Sequence, residues 1–309
     1  MKKIGFIGTG VMGGALARAV AKKVKGEELM LSNLPSSLSE SLAGELGCAA
    51  ADNLTVAEKC DLIFLAVKPN VIRSVIAEIA PVLKNRSGRV IVVSVAAGIT
   101  IADLKESFGS GLPLIRIMPN TPVLCGEGVI LAAHDGVTDE EFKEFSSLLS
   151  YAGVCDDAGE KLIETAGTLT GCGPAFAFMV MHALADGAVA VGADRASAER
   201  YAALTLAGAA KLALTSGKHP EKLKDEVCSP GGSTIEGVAA MEKDGVRAAM
   251  IDAVASFCRT GTPGDPKWLP LSGRQKGFRL FDGVSDGMTN PGYCRKKMRE
   301  TIFRNPGPA

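Results

Sequence analysis

Three glycines near the start of the chain have the spacing of a phosphate-binding turn. Gly8, Gly10 and Gly13 form the pattern G-x-G-x-x-G between the apolar run Lys3–Ile7 and an amphipathic helical stretch. In such a turn the first glycine allows a tight bend, the second lets a diphosphate approach the backbone, and the third lets the helix pack on the strand. The positive amino-terminal end of that helix attracts the phosphates. The pattern therefore predicts a dinucleotide site.

The end of the second predicted strand indicates which dinucleotide this turn would hold. Sites specific for NAD usually place Asp or Glu there, where the carboxylate binds the ribose hydroxyls. Here the strand Leu29–Ser32 is followed by Asn33, so Ser32 and Asn33 offer hydrogen-bond donors but no carboxylate. A 2′-phosphate is not repelled at such a position. NADP(H) is therefore the predicted preferred cofactor, and NAD(H) is the alternative.

Two more loops lie at predicted carboxyl ends of strands, the edge at which open α/β sheets bind ligands. The segment Ala66-Val-Lys-Pro69 ends an apolar strand, and Pro69 suits the first turn of a helix because its missing N–H is not needed there. A plain strand-to-helix turn is the alternative. The segment Met118-Pro-Asn-Thr-Pro122 is stiffened by two prolines, and we expect Asn120 or nearby backbone groups to hold a nicotinamide carboxamide.

A further loop has the composition of an anion receptor. Ser229-Pro-Gly-Gly-Ser-Thr234 is a turn that ends at a predicted helix start, where free backbone N–H groups and two hydroxyls are presented. Helix starts attract negative charge, so the turn predicts a carboxylate site that uses no arginine. A simple Ser or Thr helix cap explains the hydroxyls but not the paired glycines.

The first 150 residues supply a scaffold for these loops, because short apolar strands alternate there with helical stretches. Continuous apolar runs suit a parallel sheet covered on both faces, and the alternation predicts a doubly wound, mostly parallel Rossmann-type α/β domain. The predicted strands are Lys3–Ile7, Leu29–Ser32, Leu62–Val67, Val90–Val95, Leu114–Met118, Val129–Ala132 and Gly153–Asp156. The predicted helices are Val11–Lys25, Ser36–Leu46, Asn70–Leu83, Thr100–Phe108 and Asp139–Leu149.

Beyond the last strand the composition changes twice. From residue 161 to 259 the chain is rich in alanine and has no convincing strand, which favours closely packed helices. Within that region we predict a loop at residues 171–176 that starts a helix, and a core position for His182. We therefore predict three units in the whole chain. Residues 1–160 form the NADP(H)-binding domain, residues 161–259 form an all-helical substrate and dimerisation domain, and residues 260–309 form an atypical tail rich in Pro and Gly.

Composition excludes several classes of partner. Lys and Arg number 34 and so do Asp and Glu, so no global field attracts nucleic acid or an anionic membrane. The apolar stretch 174–193 contains His182 and Asp186, which would be costly in lipid, so it is expected at a core or subunit interface. Eight cysteines lie singly along the chain, which predicts reduced, mostly buried thiols in a cytoplasmic protein without a metal site.

Taken together, these motifs strongly resemble the pyrroline-5-carboxylate reductase family over roughly residues 1–259. The landmarks are Gly5-Phe-Ile-Gly-Thr-Gly10, Phe64-Leu-Ala-Val-Lys-Pro69, Val93-Ser-Val-Ala-Ala-Gly98, Asn120-Thr-Pro122, Gly171-Cys-Gly-Pro174 and Ser229-Pro-Gly-Gly-Ser-Thr234. The resemblance implies an oxidoreductase that reduces the cyclic imine 1-pyrroline-5-carboxylate to L-proline, the last step of proline biosynthesis. It also implies a homodimer, or a higher oligomer of dimers, whose helical domains interleave.

The resemblance assigns roles to residues of this sequence. Gly232, Ser233 and Thr234 fall where the family holds the substrate carboxylate by backbone amides, and the Thr234 hydroxyl falls near the reacting nitrogen, which makes Thr234 the expected catalytic residue. Asn53 and Asn33 fall where the family contacts the adenosine part of NADP(H). The expected cofactor-binding residues are Ile7, Gly8, Thr9, Gly10, Val11, Met12, Gly13, Ser32, Asn33, Asn53, Ala66, Val67, Lys68, Pro69, Val95, Ala96, Ala97 and Asn120.

The sequence departs from the family pattern at three places. Cys172 stands where a serine is common, Gly167-Thr168 changes the usual order just before it, and Glu226 brings a charge close to the predicted carboxylate loop, where it could weaken substrate binding. The chain also runs on for fifty residues after Arg259, beyond the point where the family ends.

Two other functions remain open. A β-hydroxyacid dehydrogenase has a similar opening motif, but it needs a catalytic Lys four residues after its Gly-x-Gly and an Asn three further on, and this chain has Ala177 and Val180 there. A regulatory protein that senses NADP would bind the cofactor without turnover and would need no second ligand loop. The Gly-Gly-Ser-Thr loop argues against it. Reduction of an iminium needs hydride delivery but no strong acid, which fits the lack of an obvious catalytic histidine.

Overall fold

The structure is a computed structural model of the chain, and it describes residues 2–109 and 111–260. The described residues belong to one compact unit. The predicted tail lies outside the described residues except for Thr260. The predicted boundary between residues 160 and 161 stays a prediction.

Eight strands form one sheet in the order β3-β2-β1-β4-β5-β6-β7-β8. All neighbouring pairs are parallel except β6 and β7, which confirms the predicted mostly parallel, doubly wound sheet. The strands are β1 Ile4–Ile7, β2 Leu29–Ser32, β3 Ala49–Ala50, β4 Leu62–Leu65, β5 Ile91–Ser94, β6 Leu114–Pro119, β7 Gly128–Asp135 and β8 Gly153–Asp157.

In the described part of the chain, six helices pack against the sheet, and five further helices follow the last strand. Those of the sheet region are α1 Val11–Ala21, α2 Ser36–Leu46, α3 Asn53–Lys59, α4 Pro69–Lys84, α5 Ile101–Phe108 and α6 Asp139–Leu148. They are followed by α7 Gly159–Ala190, α8 Arg195–Ser216, α9 Pro220–Val227, α10 Ser233–Lys243 and α11 Val246–Thr260. Short 3-10 turns occur at Gly26–Glu28 and Thr121–Cys125.

The core of the sheet region lies on both faces of the sheet. One face packs on α1, α2 and α6, with fully or nearly fully buried side chains Leu16, Val20, Leu42 and Phe145. The other face packs on α3, α4 and α5, with Val56, Ile72, Ile76, Ile79 and Leu104. Each such side chain stabilises the fold by about 1.5–3 kcal/mol. The two layers hold the carboxyl ends of β1, β2, β4 and β5 at one rigid edge.

Helix α7 corrects the predicted loop at residues 171–176. It runs without a break through this segment, with Pro174 inside the helix. A proline has no N–H, so it leaves the carbonyl group four residues earlier, that of Thr170, without a helical donor. The side-chain Nδ2 of Asn120 donates to that carbonyl at 3.0 Å, which supplies the missing hydrogen bond. A side chain from the residue that follows β6, distant in sequence, therefore supports the continuous helix.

The helical region buries very little of its own apolar surface. Its one core cluster among the described residues consists of Ala185, Ala198 and Ala202. Large apolar side chains of α7 are exposed instead, with Phe178 at 60% and Met179 at 72%. The prediction of a core position for His182 is also wrong for the single chain, because its side chain is 66% exposed beside Asp186.

Among the described residues, α7 is the one helix that is long and apolar enough to cross a membrane by length and composition. Only 6% of its most apolar stretch is buried within the chain. Length and apolarity do not distinguish a membrane span from a helix that packs on another subunit.

Candidate active site

The turn between β1 and α1 has the geometry of a phosphate cradle. Gly8 has a φ of 98°, and a side chain there would meet the Ala66 carbonyl oxygen at 2.5 Å. A Cβ at Gly13 would lie 2.1 Å from the Gly8 carbonyl oxygen, so the helix could not approach the turn. A Cβ at Gly10, by contrast, would meet no atom of residues 2–109 or 111–260 within 4 Å. Packing of the protein therefore does not require a glycine at position 10. The open space beside its backbone can accommodate a ligand instead.

Two further features of this turn fit a diphosphate. Helix α1 begins without a side-chain cap and has no acidic residue in its first turn, so its free N–H groups keep their full attraction for anions. The Thr9 hydroxyl is buried and has no hydrogen-bond partner among the residues that the structure describes. A buried hydroxyl without a partner is unfavourable unless a ligand or water supplies one. The turn thus fits the group that the sequence predicts for it.

The residues predicted for the adenosine part lie together at the end of β2. Asn33 accepts a hydrogen bond from the Thr9 N–H through Oδ1 at 2.8 Å, which ties β2 to the phosphate turn. Ser32 donates its hydroxyl to Asn53 Oδ1 at 2.6 Å, and Asn53 donates from Nδ2 to Glu78 Oε2 at 2.8 Å. Sequence reasoning missed Glu78. It lies 25 residues from Asn53, and no local motif connects the two.

The loops that follow β4 and β5 lie at the same edge of the sheet. Ala66 donates its N–H to Ile7 at 2.8 Å, and Val95 donates to Leu65 at 3.1 Å, so the ends of β1, β4 and β5 are joined by backbone hydrogen bonds. Pro69 occupies the start of α4, as the sequence predicts, and Lys68 precedes it without capping it. Lys68, Pro69 and Ala97 are exposed, whereas Ala96 is buried. The carboxyl ends of β1, β4 and β5 thus lie side by side at one edge, where Lys68, Pro69 and Ala97 are accessible.

Asn120 has a structural task at this edge. Its side chain is largely buried, its Oδ1 accepts from the Val129 N–H at 2.8 Å, and its Nδ2 donates to the Thr170 carbonyl at 3.0 Å. Both ends of the amide thus bind the protein, joining the end of β6 to β7 and α7. This pattern favours a residue that positions α7. The predicted contact between Asn120 and a nicotinamide carboxamide stays a prediction.

Replacing Asn120 tests that structural task. Asn120→Leu should lower the free energy of unfolding by about 2–4 kcal/mol, because it removes the hydrogen-bond partners of the half-buried Val129 N–H and Thr170 carbonyl. Asn120→Asp should be less harmful, since a carboxylate still accepts from Val129. Urea unfolding of the two variants measures the difference. Equal stability of wild type and Asn120→Leu would contradict the assignment.

The predicted carboxylate loop does end at a helix start. Helix α10 begins at Ser233, and its cap residue Gly232 provides no side-chain hydrogen bond. The Gly232 N–H closes the turn on the Ser229 carbonyl at 3.0 Å. Ser233 and Thr234 are exposed in the single chain, so their hydroxyls and the first N–H groups of α10 are accessible. Glu236 lies in the first turn of α10 and partly offsets the attraction for an anion.

Glu226 does not stand as a free charge near this loop. Its carboxylate forms a salt bridge with Lys218 Nζ at 2.9 Å, which offsets the expected repulsion of a substrate carboxylate. Cys172 lies half-buried within α7.

The prediction of mostly buried thiols is wrong for the six cysteines whose side chains the structure describes, because only Cys60 is fully buried. Burial raises the pKa of the Cys60 thiol to about 11. The pKa of Cys155 is likewise raised to about 11, mainly by burial. Neither thiol is therefore suited to act as a nucleophile near neutral pH.

The sheet, the uncapped start of α1 and the residues at the end of β2 together define a dinucleotide-binding oxidoreductase of the Rossmann type. Comparison with known proteins agrees for both parts of the chain. Residues 160–262 match the family profile described as pyrroline-5-carboxylate reductase dimerisation. Residues 3–98 match the profile described as NADP oxidoreductase, coenzyme F420-dependent.

Named relatives cover both regions at once. The chain is 37% identical over 262 residues to pyrroline-5-carboxylate reductase 3 of Macaca fascicularis, a match that covers 84% of this chain and 94% of the relative. It is 38% identical over 258 residues to the pyrroline-5-carboxylate reductase of Methanosarcina acetivorans, covering 82% and 94%.

A solved structure of Plasmodium falciparum pyrroline carboxylate reductase with NADP bound is 31% identical, with a TM-score of 0.73 over 83% of this chain and 95% of that one. The chain belongs to the pyrroline-5-carboxylate reductase family.

Proposed function

We propose that this chain uses NADPH to reduce 1-pyrroline-5-carboxylate to L-proline, the last step of proline biosynthesis. The observation that carries the proposal is the start of α10, which follows the Ser229–Gly232 turn, has no side-chain cap and exposes Ser233 and Thr234, in a chain that has another uncapped start at the glycine turn before α1. One start suits a dinucleotide diphosphate and the other suits a substrate carboxylate. Relatives named for this reaction match across both regions.

In this proposal one set of residues binds the cofactor, and another binds and orients the substrate. Ile7 to Gly13 hold the diphosphate, and the loops at Ala66–Pro69 and Val95–Ala97 line the cofactor further in. When bound, the nicotinamide supplies a hydride, which the substrate takes up at C5 while its nitrogen carries the proton. The amides of Gly232, Ser233 and Thr234 hold the substrate carboxylate. The Thr234 hydroxyl contacts the ring nitrogen and fixes the ring in the plane required for transfer.

The chain is at least a homodimer in this proposal. The helical region has a core cluster of three alanines among the described residues, while Phe178, Met179 and other apolar side chains are exposed. Thr234 is also exposed, so a partner subunit would cover the substrate. A second subunit on α7 also accounts for the apolar surface of this helix without a membrane. A cytoplasmic location and assembly beyond the dimer stay predictions.

A charged residue within the proposed interface should separate the subunits. Met179→Glu places one carboxylate on each side of a two-fold interface, so the dissociation constant of the dimer should rise by about a hundredfold or more. Leu38→Glu in α2, at a residue that is also exposed, is the matched control and should leave the dimer intact. Light scattering over a range of concentrations measures both. A dimer unaffected by Met179→Glu would place the interface elsewhere.

Asn33 tests the preference for NADP(H). Asn33→Asp should shift the ratio of kcat/KM values toward NADH by roughly tenfold or more, because the new carboxylate repels a 2′-phosphate and accepts from ribose hydroxyls. The contact with Thr9 should survive, since a carboxylate still accepts from the Thr9 N–H, while the hydrogen bond from Asn33 Nδ2 to the Pro35 carbonyl is lost. Asn33→Ala adds no charge and should weaken both cofactors alike. A wild type that already prefers NADH would contradict the prediction.

The function itself is tested by cofactor oxidation in the presence of candidate substrates. NADPH should be oxidised with 1-pyrroline-5-carboxylate and not with a β-ketoacid, and NADP⁺ should not be reduced with a β-hydroxyacid, since Ala177 and Val180 replace the catalytic residues of that alternative. Binding of NADPH without turnover of any imine would favour the regulatory alternative instead. Turnover of a β-ketoacid would favour the dehydrogenase.

A further inference from the structure

Glu78 connects the predicted adenosine edge to helix α4, although the sequence indicates no role for it. Its carboxylate accepts a hydrogen bond from Asn53 Nδ2 at 2.8 Å. Asn53 Oδ1 in turn accepts from the Ser32 hydroxyl at 2.6 Å. The three side chains therefore form a relay from the exposed surface of α4 to the buried end of β2.

The relay has a direction that Glu78 sets. A carboxylate accepts hydrogen bonds and donates none, so it must face the amide nitrogen of Asn53. The amide oxygen of Asn53 then faces Ser32, and the single hydroxyl hydrogen of Ser32 must point to that oxygen. Beyond their mutual hydrogen bond, Ser32 Oγ and Asn53 Oδ1 can only accept, and the second Nδ2 hydrogen of Asn53 is the one donor that the three side chains retain.

This direction matters for the two dinucleotides. A ribose 2′-hydroxyl can donate to an acceptor, as it does in NAD(H), whereas a 2′-phosphate offers only acceptor oxygens. The relay also carries the negative charge of Glu78 and no cation. It therefore suits the ribose hydroxyl and opposes the phosphate, although the rest of this edge lacks the carboxylate typical of NAD-specific sites.

We propose that Glu78 is a positioning residue that lowers the selectivity of this chain for NADP(H) over NAD(H), by orienting Asn53 so that the edge presents oxygen acceptors. The inference rests on the proposed NADP(H)-dependent function. It deepens that function because it assigns part of the cofactor selectivity to a residue outside the cofactor-binding loops.

Binding of adenosine fragments tests Glu78 without any turnover. The full-length protein is titrated by calorimetry with 2′,5′-ADP, which carries the 2′-phosphate, and with 5′-AMP, which lacks it. Glu78→Gln removes the negative charge. It also allows the Asn53 amide to rotate, so that its oxygen and nitrogen can exchange places. The ratio of the two affinities should therefore shift toward 2′,5′-ADP by roughly threefold to tenfold. Glu106→Gln, an exposed glutamate on α5, is the matched control and should leave the ratio unchanged.

Repeating the substitution in an Asn53→Ala variant separates the effect of the Asn53 orientation from the effect of the Glu78 charge alone. In Asn53→Ala the relay is broken, so adding Glu78→Gln should change the ratio by less than about twofold. An unchanged ratio in Glu78→Gln, or the same shift in both backgrounds, would overturn the proposal. If the wild type binds NADPH but the ratio does not move, only the role of Glu78 fails. If the wild type binds neither NADPH nor 2′,5′-ADP, the proposed cofactor use fails with it.

Discussion

Gly10→Ala should abolish most NADPH binding while leaving the fold intact. Gly10 has a φ of −64° and a ψ of −166°, which alanine can adopt, and a Cβ there meets no atom of the described part of the chain within 4 Å. In the complex the same methyl group would stand where the diphosphate approaches the backbone at the start of α1. Losing close contact with two or more N–H groups should weaken NADPH by about a hundredfold or more.

Two glycine controls make this result specific. Gly44 in α2 also has open space around it. Gly44→Ala should leave the NADPH affinity unchanged, and it should leave the stability unchanged or raise it slightly. Gly13→Ala should instead destabilise the protein itself, because its Cβ would meet the Gly8 carbonyl oxygen at 2.1 Å. Calorimetric titration and thermal unfolding of the three variants measure the contrast. Unchanged NADPH affinity in Gly10→Ala would remove the diphosphate from this turn.

Thr234→Ala should slow the reduction without affecting the cofactor. Thr234 lies in the first turn of α10, outside the sheet region that we propose to hold the dinucleotide, and it is exposed in the single chain. Losing one neutral hydrogen bond to the reacting nitrogen should cost about 1–3 kcal/mol of transition-state stabilisation. That corresponds to a decrease in kcat/KM of roughly tenfold to a hundredfold.

Ser233 provides the matched control, because it neighbours Thr234 in the same turn. Ser233→Ala should have a much smaller effect, since the proposed contact at that position uses the backbone amide, which survives the substitution. NADPH affinity should be the same in both variants. Full activity of Thr234→Ala at limiting substrate would mean that the hydroxyl contributes only to the local structure of the loop.

Much of the sheet region could be predicted because its signals are local. The apolar run of β2 and the helical pattern of α2 lie at the residues predicted for them. Strand β3 and helix α3 were not predicted. Strand β3 has two residues and exists only because it pairs with β2. Helix α3 has seven residues, and its start depends on Asp52, whose carboxylate accepts from the Thr55 N–H at 2.7 Å.

The errors in the helical region and at the site have a common physical cause. Glycines and Pro174 indicate a loop at residues 171–176, but Asn120, 50 residues from Thr170, completes the hydrogen bonding of α7. Glu78 reaches Asn53 in the same nonlocal way. Side-chain hydrogen bonds between distant elements have no periodicity in the sequence, so pattern reasoning does not detect them. The phosphate turn and the Ser229–Thr234 loop could be found because each lies within one short segment.

Isotope transfer from the cofactor to the product tests the central claim most directly. The protein is mixed with 1-pyrroline-5-carboxylate and NADPH that carries deuterium at the transferable position of the nicotinamide ring, and the product is identified by mass spectrometry and NMR. We expect L-proline with a single deuterium at C5, formed in equal amount to the NADP⁺ released. Absence of proline, or proline without the label at C5, would contradict the proposed reduction.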